Sequence, residues 1–448
     1  MFKIVSTIGP ISANIVTLKK IINSSDLIRL NGAHNTIEWH KNTITKIRKI
    51  NPQIPILVDL PGIKPRTNNV KNIFINKNQI YRFSYQNKIK KSKNDIFLSN
   101  PLPEIIKDKK FTLSDGNFNF IIKKKRKNEI YAKSLQSFVL FPQKGVNFLN
   151  SKYDEKNQRK KYFKYLKVFS KLKPDAVGLS YIQSANILFD IKKKFNNLIL
   201  VSKIENFSGL LNSKSISEVS DMVMIDRGDL SAEIGSENLF SSIKEISKNV
   251  KKSGKPLIMA TENLESMTKK TNPSKSEVVA MGFNLDLGAD CIMLSEETAI
   301  SESCLKILAW LNNFRNKLRD SSRKKSTLNR QLLLSNFIEK LDGQTLVIFS
   351  KKGYAVESVN KINDKLNIIL FTDNRKLLKI SSLRRNVLTI FTKKFDNKNL
   401  EKFIYKNIKK HKKIIFRNTR DVIILRIIYP MSNSRANNIS IVNYKNFK

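Results

Sequence analysis

A lysine and two carboxylates fall where successive apolar runs end: Lys203 and Glu205 in Val-Ser-Lys-Ile-Glu-Asn at 201–206, and Asp229 in Asp-Arg-Gly-Asp-Leu at 226–230, after the run Met-Val-Met-Ile at 222–225. Lys203 and Glu205 are two residues apart, so on a strand they point to the same side. Hard carboxylate oxygens suit Mg2+, and an ammonium group beside them offsets charge that develops on a reacting oxygen. Such a set suits phosphate chemistry. The tripeptides themselves are common, and surface ion pairs at strand ends would look the same, so the surrounding elements must decide.

Short apolar runs recur at Lys3–Ile8, 27–30, Ile56–Leu60, 176–181, 198–204, 222–225, Leu257–Ala260 and Cys291–Leu294. Amphipathic segments of helical length, such as Ile37–Ile50, 240–250 and 277–287, separate most of them. This is the alternation of a parallel α/β sheet, and eight units predict a closed (β/α)8 TIM barrel. Chemistry in such barrels sits at the carboxyl ends of the strands. Arg29, Asn31, Asp59, Arg66, Lys203, Glu205, Asp229, Thr261 and Glu297 all follow predicted strands.

The order of the motifs carries a further resemblance. Lys3 to Pro10, Ile28 to Asn31, Lys144-Gly145-Val146-Asn147, Val201 to Asn206, Arg227 to Leu230, Gly254-Lys255-Pro256, Leu264 to Met267 and Gly288 to Ser295 occur in the sequence order of the pyruvate kinases. The chain resembles that family along nearly its whole length. The resemblance implies a barrel of residues 1–67 and 142–315, a small β-rich lid domain at 68–141 inserted after the third strand, and a C-terminal open α/β effector-type domain at 327–448. A polar, basic stretch at 316–326 is expected as linker. Ser114-Asp115-Gly116 fits both a lid turn and a nucleotide-facing carboxylate.

Composition is strongly basic: 83 Lys and Arg against 37 Asp and Glu give a formal net charge of +46. The lysines are spread through every segment with abundant Asn and Ile, the bias of an AT-rich coding sequence, rather than gathered on one face as specific nucleic-acid binding would require. The run Lys123 to Lys127 after Ile121-Ile122 reads as a solvated hairpin. Two cysteines, Cys291 and Cys304, and three histidines make neither a disulfide framework nor a zinc set. A cytoplasmic protein without membrane insertion is expected.

What the resemblance implies chemically is transfer of a phosphoryl group from phosphoenolpyruvate to ADP, the last step of glycolysis, with Mg2+ or Mn2+ as the cofactor. Lys203, Thr261 and Arg29 would be catalytic. Arg29, Lys203, Gly228, Asp229 and Thr261 would bind the substrate, Arg66, Asn31 and Lys144 the nucleotide, and Glu205 and Asp229 the metal. Asn31, Asp59 and Lys64 mark the family's monovalent-cation region. A homotetramer is implied as well.

Departures from the pattern are also visible. Gly32 and Ala33 follow Asn31, removing a hydroxyl from the cation region, and Leu60 removes another. Lys64 stands where a glutamate is usual, so its ammonium could take the place of K+, which is then not required. Asp226, Glu262 and Glu296 bring extra carboxylates near an anionic substrate and should weaken its binding. A catalytically impaired relative with a binding or regulatory role is the alternative reading.

Overall fold

A computed structural model describes residues 1–85, 94–114, 116–126, 128–321, 338, 341, 344–394, 400–417, 421–426 and 438–444. Asp115 and Lys127, on which two sequence readings rest, lie outside the described residues. Eight parallel strands close into a barrel: β1 (Lys3–Ile8), β2 (Leu27–Asn31), β3 (Ile56–Leu60), β4 (Ala176–Leu179), β5 (Ile199–Ile204), β6 (Met222–Asp226), β7 (Leu257–Ala260) and β8 (Cys291–Leu294). Each pairs with its neighbours in chain order, and β1 meets β8 with Lys3 opposite Cys291.

The period of two sets the two faces of every strand. Val5, Leu27, Leu57, Ala176, Ile199, Val201, Met222, Met224 and Ile258 share the lumen cluster. Ile4, Ile28, Val58, Leu200, Val223 and Ile225 belong instead to the cluster packed against the helices. Continuing the lumen parity by two or four residues gives Thr7, Arg29, Asp59, Gly178, Lys203, Glu205 and Asp226. The same alternation that fills the barrel with apolar side chains therefore turns polar at its carboxyl end.

Three strands end elsewhere than the sequence reading has them, and β2 runs one residue further, to Asn31. β4 stops at Leu179 because Tyr181 adopts φ 65°, outside the strand region. β6 extends by one residue, to Asp226. The first residues of the stretch expected as linker continue a helix, Cys304–Ser321, whose Leu308 and Leu311 are buried against the barrel. Both cysteines are free and buried.

After β3 the chain builds a six-stranded sheet with the order Val146–Phe148, Lys110–Leu113, Phe118–Arg126, Glu129–Ser134, Ile80–Ser84, Asp95–Phe97. Phe83, Phe111, Phe120 and Phe148 pack its core through ring contacts of 5.1–5.3 Å. Lys123 to Arg126 are exposed at the end of the strand Phe118–Arg126, which pairs antiparallel with Glu129–Ser134 as the hairpin reading requires.

A five-stranded sheet follows, ordered Val387–Phe391, Asn367–Thr372, Thr345–Phe349, Asp421–Arg426, Asn438–Asn443. It docks where the barrel strands begin: Lys376 Nζ reaches Leu198 O at 3.3 Å, Lys379 pairs with Asp175, Arg384 donates to Gly254 O, and Arg385 N–H donates to Asp290 Oδ1 at 2.9 Å. The carboxyl ends are left to the inserted sheet. Among the described residues no helix is long and apolar enough to cross a membrane.

Candidate active site

Lys203 is the centre of the polar mouth. Its Nζ lies 2.6 Å from Glu205 Oε1, 3.4 Å from Asp59 Oδ2 and 3.6 Å from Asp226 Oδ2, and 3.3 Å from the Ser180 hydroxyl. Burial works against its charge, but Glu205, Asp59 and Asp226 together raise its pKa well above the usual lysine value. The surrounding carboxylates thus favour the charged ammonium, the form that a stabiliser of a developing oxyanion needs.

Arg29 is buried beside it. Its Nε donates to Asp59 Oδ2 at 2.8 Å and its Nη1 to Thr7 Oγ1 at 3.0 Å, while Thr7 donates in turn to Leu294 O at 2.7 Å. Burial alone would raise the Asp59 pKa; Arg29 and Lys203 outweigh it and hold the carboxylate below the ordinary range. Asp59 thus aims both cations. It can do so only because β4 carries Gly178 opposite it, where an added Cβ would meet Asp59 Oδ1 at 2.0 Å.

Glu205, Asp226 and Asp229 each offer a carboxylate oxygen, and these oxygens all lie within 4.8 Å of one another. Glu205 also accepts from the Tyr181 N–H at 2.6 Å. Its burial, only partly offset by Lys203, pushes its pKa up to about 8. Asp229 receives the Lys64 ammonium, which outweighs burial and holds its pKa low. Clustered hard oxygens of this kind fit Mg2+ or Mn2+ by the chemistry of the donor set.

Thr261 occupies a strained position after β7. Its φ is 61° and that of Glu262 is 52°, a left-handed pair that a β-branched residue adopts only when its surroundings impose it. Arg227 imposes it: its guanidinium bonds Thr261 O, Ala260 O at 3.3 Å and Asn263 Oδ1 at 3.0 Å. The Thr261 hydroxyl lies 2.7 Å from Ala260 O and 3.3 Å from Asp226 Oδ1, and accepts from the N–H groups of Arg227 and Gly228 at 3.1 and 3.2 Å. The Gly228 N–H, expected to face a substrate carboxylate, is spent on this hydroxyl.

The remaining sequence candidates lie on the rim. Arg66 is exposed and donates to Gln143 O at 3.1 Å, and Lys144 is half-buried on the same bridge between the β3 loop and the inserted sheet. Asn31 is half-buried at the end of β2, with its Oδ1 accepting from the Ala33 N–H. Of the cation-region residues, Asp59 pairs with Arg29 and Lys203, whereas Lys64 pairs with Asp229 and lies 6.0 Å over the Tyr181 ring. Glu262 and Glu296 are exposed, so of the three extra carboxylates only Asp226 enters the buried cluster.

Sequence reasoning passed over Ser180, Arg227 and Glu233. Glu233 is fully buried four residues after Asp229, one turn along the helix Arg227–Ile234, and accepts from Tyr153 OH at 2.9 Å and Asn147 Nδ2 at 3.3 Å. Burial pushes its pKa up to about 8. The i, i+4 spacing of two carboxylates was the available signal.

Comparison with known proteins agrees with this geometry. The family profile described as "Pyruvate kinase, barrel domain" matches residues 1–305. The chain is 28% identical over 405 residues to the pyruvate kinase of Thermococcus litoralis, covering 84% of this chain and 85% of that one. It is 29% identical over 418 residues to that of Candida albicans, covering 86% and 83%, and 28% identical over 400 residues to that of Encephalitozoon cuniculi, covering 87% and 91%. Since the profile spans the entire barrel, from β1 to past β8, the chain belongs to the pyruvate kinase family.

Proposed function

We propose that the protein transfers the phosphoryl group of phosphoenolpyruvate to ADP, forming pyruvate and ATP. The observation that carries this reading is the convergence of Arg29, Lys203, Glu205 and Asp229 on one buried mouth, with both cations aimed by Asp59. Glu205 and Asp229 would hold a divalent ion, which when bound supplies charge neutralisation between substrate carboxylate and phosphate.

In the reaction the bond between phosphorus and the enol oxygen breaks, and a bond from phosphorus to a terminal ADP oxygen forms. Arg29 grips the phosphoryl oxygens and Lys203 offsets the negative charge left on the enol oxygen. The enolate carbon then takes a proton, and Thr261 is the hydroxyl placed to deliver it. Arg66, Asn31 and Lys144 meet the nucleotide at the rim, and residues 68–141 act as a lid that excludes water. A coupled assay with lactate dehydrogenase, phosphoenolpyruvate, ADP and Mg2+ tests the reading. Turnover no greater than background would favour the alternative, a binding or regulatory relative, for which the added Asp226 carboxylate is the supporting observation.

Potassium is expected to be dispensable. Ala33 and Leu60 lack hydroxyls, and Lys64 places a tethered positive charge on Asp229. Rates in sodium, potassium and tetramethylammonium salts at equal ionic strength should agree within about two-fold, because screening is then constant. A tenfold stimulation by potassium alone would refute this.

Activation by sugar phosphates is expected to be weak. Lys352, in the loop before the helix Tyr354–Ile362, and Ala355, in its first turn, stand where the family usually has hydroxyls, and the Gly353 N–H already donates to Ser350 Oγ at 2.9 Å. A several-fold fall in the half-saturating phosphoenolpyruvate concentration on adding a sugar phosphate would contradict it.

A further inference from the structure

The buried charges at the mouth do not balance. Asp59 is met by Arg29 at 2.8 Å, Asp229 by Lys64, and Glu205 by Lys203 at 2.6 Å. Asp226 is only 8% exposed, and its ion-pair contact is Lys203 at 3.6 Å, a cation already shared with Glu205 and Asp59. Fully buried Glu233 adds a further carboxylate and buried Arg227 a further cation, but Arg227 bonds carbonyl oxygens rather than a carboxylate, so with half-buried Asp229 included the negative charge stays in excess. A buried charge without a counter-charge is costly, and it is relieved either by taking up a proton or by binding a cation.

Geometry places the surplus charge beside the other two metal candidates. Asp226 ends β6 on the lumen parity of Met222 and Met224, and Asp229 follows three residues later in the first turn of the next helix. Their ligand oxygens and that of Glu205 lie within 4.8 Å of one another. Glu205 is 1% exposed, and its Oε1 is met by the Lys203 ammonium at 2.6 Å, a cation that it shares with Asp59 and Asp226. Lys64 meanwhile occupies Oδ1 of Asp229 and lowers the negative charge which that residue can offer to an ion.

We propose that Asp226 is a third carboxylate ligand of the divalent ion, compensating for the Lys64 ammonium on Asp229. The inference rests on the reading of Glu205 and Asp229 as metal ligands. Three carboxylates make the site anionic enough to take Mg2+ or Mn2+ before any substrate arrives, so metal binding is independent of phosphoenolpyruvate.

The test is Mn2+ titration of the full chain without substrate, followed by the loss of the free-ion electron spin resonance signal. Asp226→Asn is nearly isosteric and should weaken Mn2+ binding at least tenfold, as should Asp229→Asn, while Glu262→Gln, at an exposed carboxylate, should leave it unchanged. Asp226→Ala and thermal melting of each variant separate lost ligation from lost folding. Wild-type Mn2+ affinity in a folded Asp226→Asn or Asp226→Ala protein, with Asp229→Asn impaired, would overturn the proposal and leave Asp226 a structural partner of Lys203. Wild-type affinity in all three would overturn it together with the metal assignment. Mn2+ binding that needs Asp226, in a protein that turns over no phosphoenolpyruvate, would uphold the inference and refute the reaction.

Discussion

Lys203→Ala is expected to lower pyruvate formation from phosphoenolpyruvate and ADP by at least about 100-fold, which corresponds to about 2.7 kcal/mol of lost transition-state stabilisation. The magnitude follows from position. Lys203 is the single ammonium shared by Asp59, Glu205 and Asp226, at 3.4, 2.6 and 3.6 Å, so alanine both removes the charge proposed to offset the enol oxygen and leaves three carboxylates without it. Lys203→Arg separates the two effects, since it keeps a cation but not a compact one. The alanine variant should lose kcat, with its fold checked by circular dichroism. Equal kcat in wild type and a folded alanine variant would remove Lys203 from the chemistry.

Gly178→Ala should be almost as damaging, although it adds one methyl group to a residue that meets no substrate. The new Cβ would lie 2.0 Å from Asp59 Oδ1, closer than any non-bonded contact allows. Asp59 cannot retreat without abandoning Arg29 and Lys203, because it is 2% exposed and bonded to both. Overpacking of this kind costs about 3 kcal/mol and should lower the melting temperature by roughly 6 °C or more. At least a tenfold loss of kcat should accompany it, since displaced carboxylate oxygens no longer aim the two cations. A variant that melts and turns over like the wild type would show that Asp59 can move freely.

Much of the barrel was legible because its signal is local. Eight apolar runs, each bounded by polar residues, are what a strand buried on both faces requires, and counting by two from the lumen residues leads to Arg29, Asp59, Lys203 and Glu205 without reference to any neighbour. What could not be read is what depends on contacts between distant segments. Tyr181 reads as a strand residue until its positive φ turns it toward Glu233. Asp226 reads as an intrusion near the substrate, because its company of Glu205, Lys203 and Thr261 exists only once β5, β6 and β7 are side by side. Arg227 lies within a motif whose aspartate attracts attention, yet its guanidinium is what holds the strained turn at Thr261.

The seam between β1 and β8 has a consequence for how the protein is made. Lys3 pairs with Cys291 and Ser6 with Leu294, so β1, once it has left the ribosome, waits for a partner encoded almost three hundred residues later. At about 5 to 20 residues per second the interval is roughly 15 to 60 s, during which one edge of β1 stays open. Lys3 sits on that edge, and a lysine on an open strand discourages pairing with another nascent chain. The inserted sheet has no such wait, since its strands pair within residues 80–148 and can form while the barrel is still incomplete. Translation speed between β3 and β8 thus becomes a determinant of yield, and slowing it should lengthen the aggregation-prone interval without altering the finished fold.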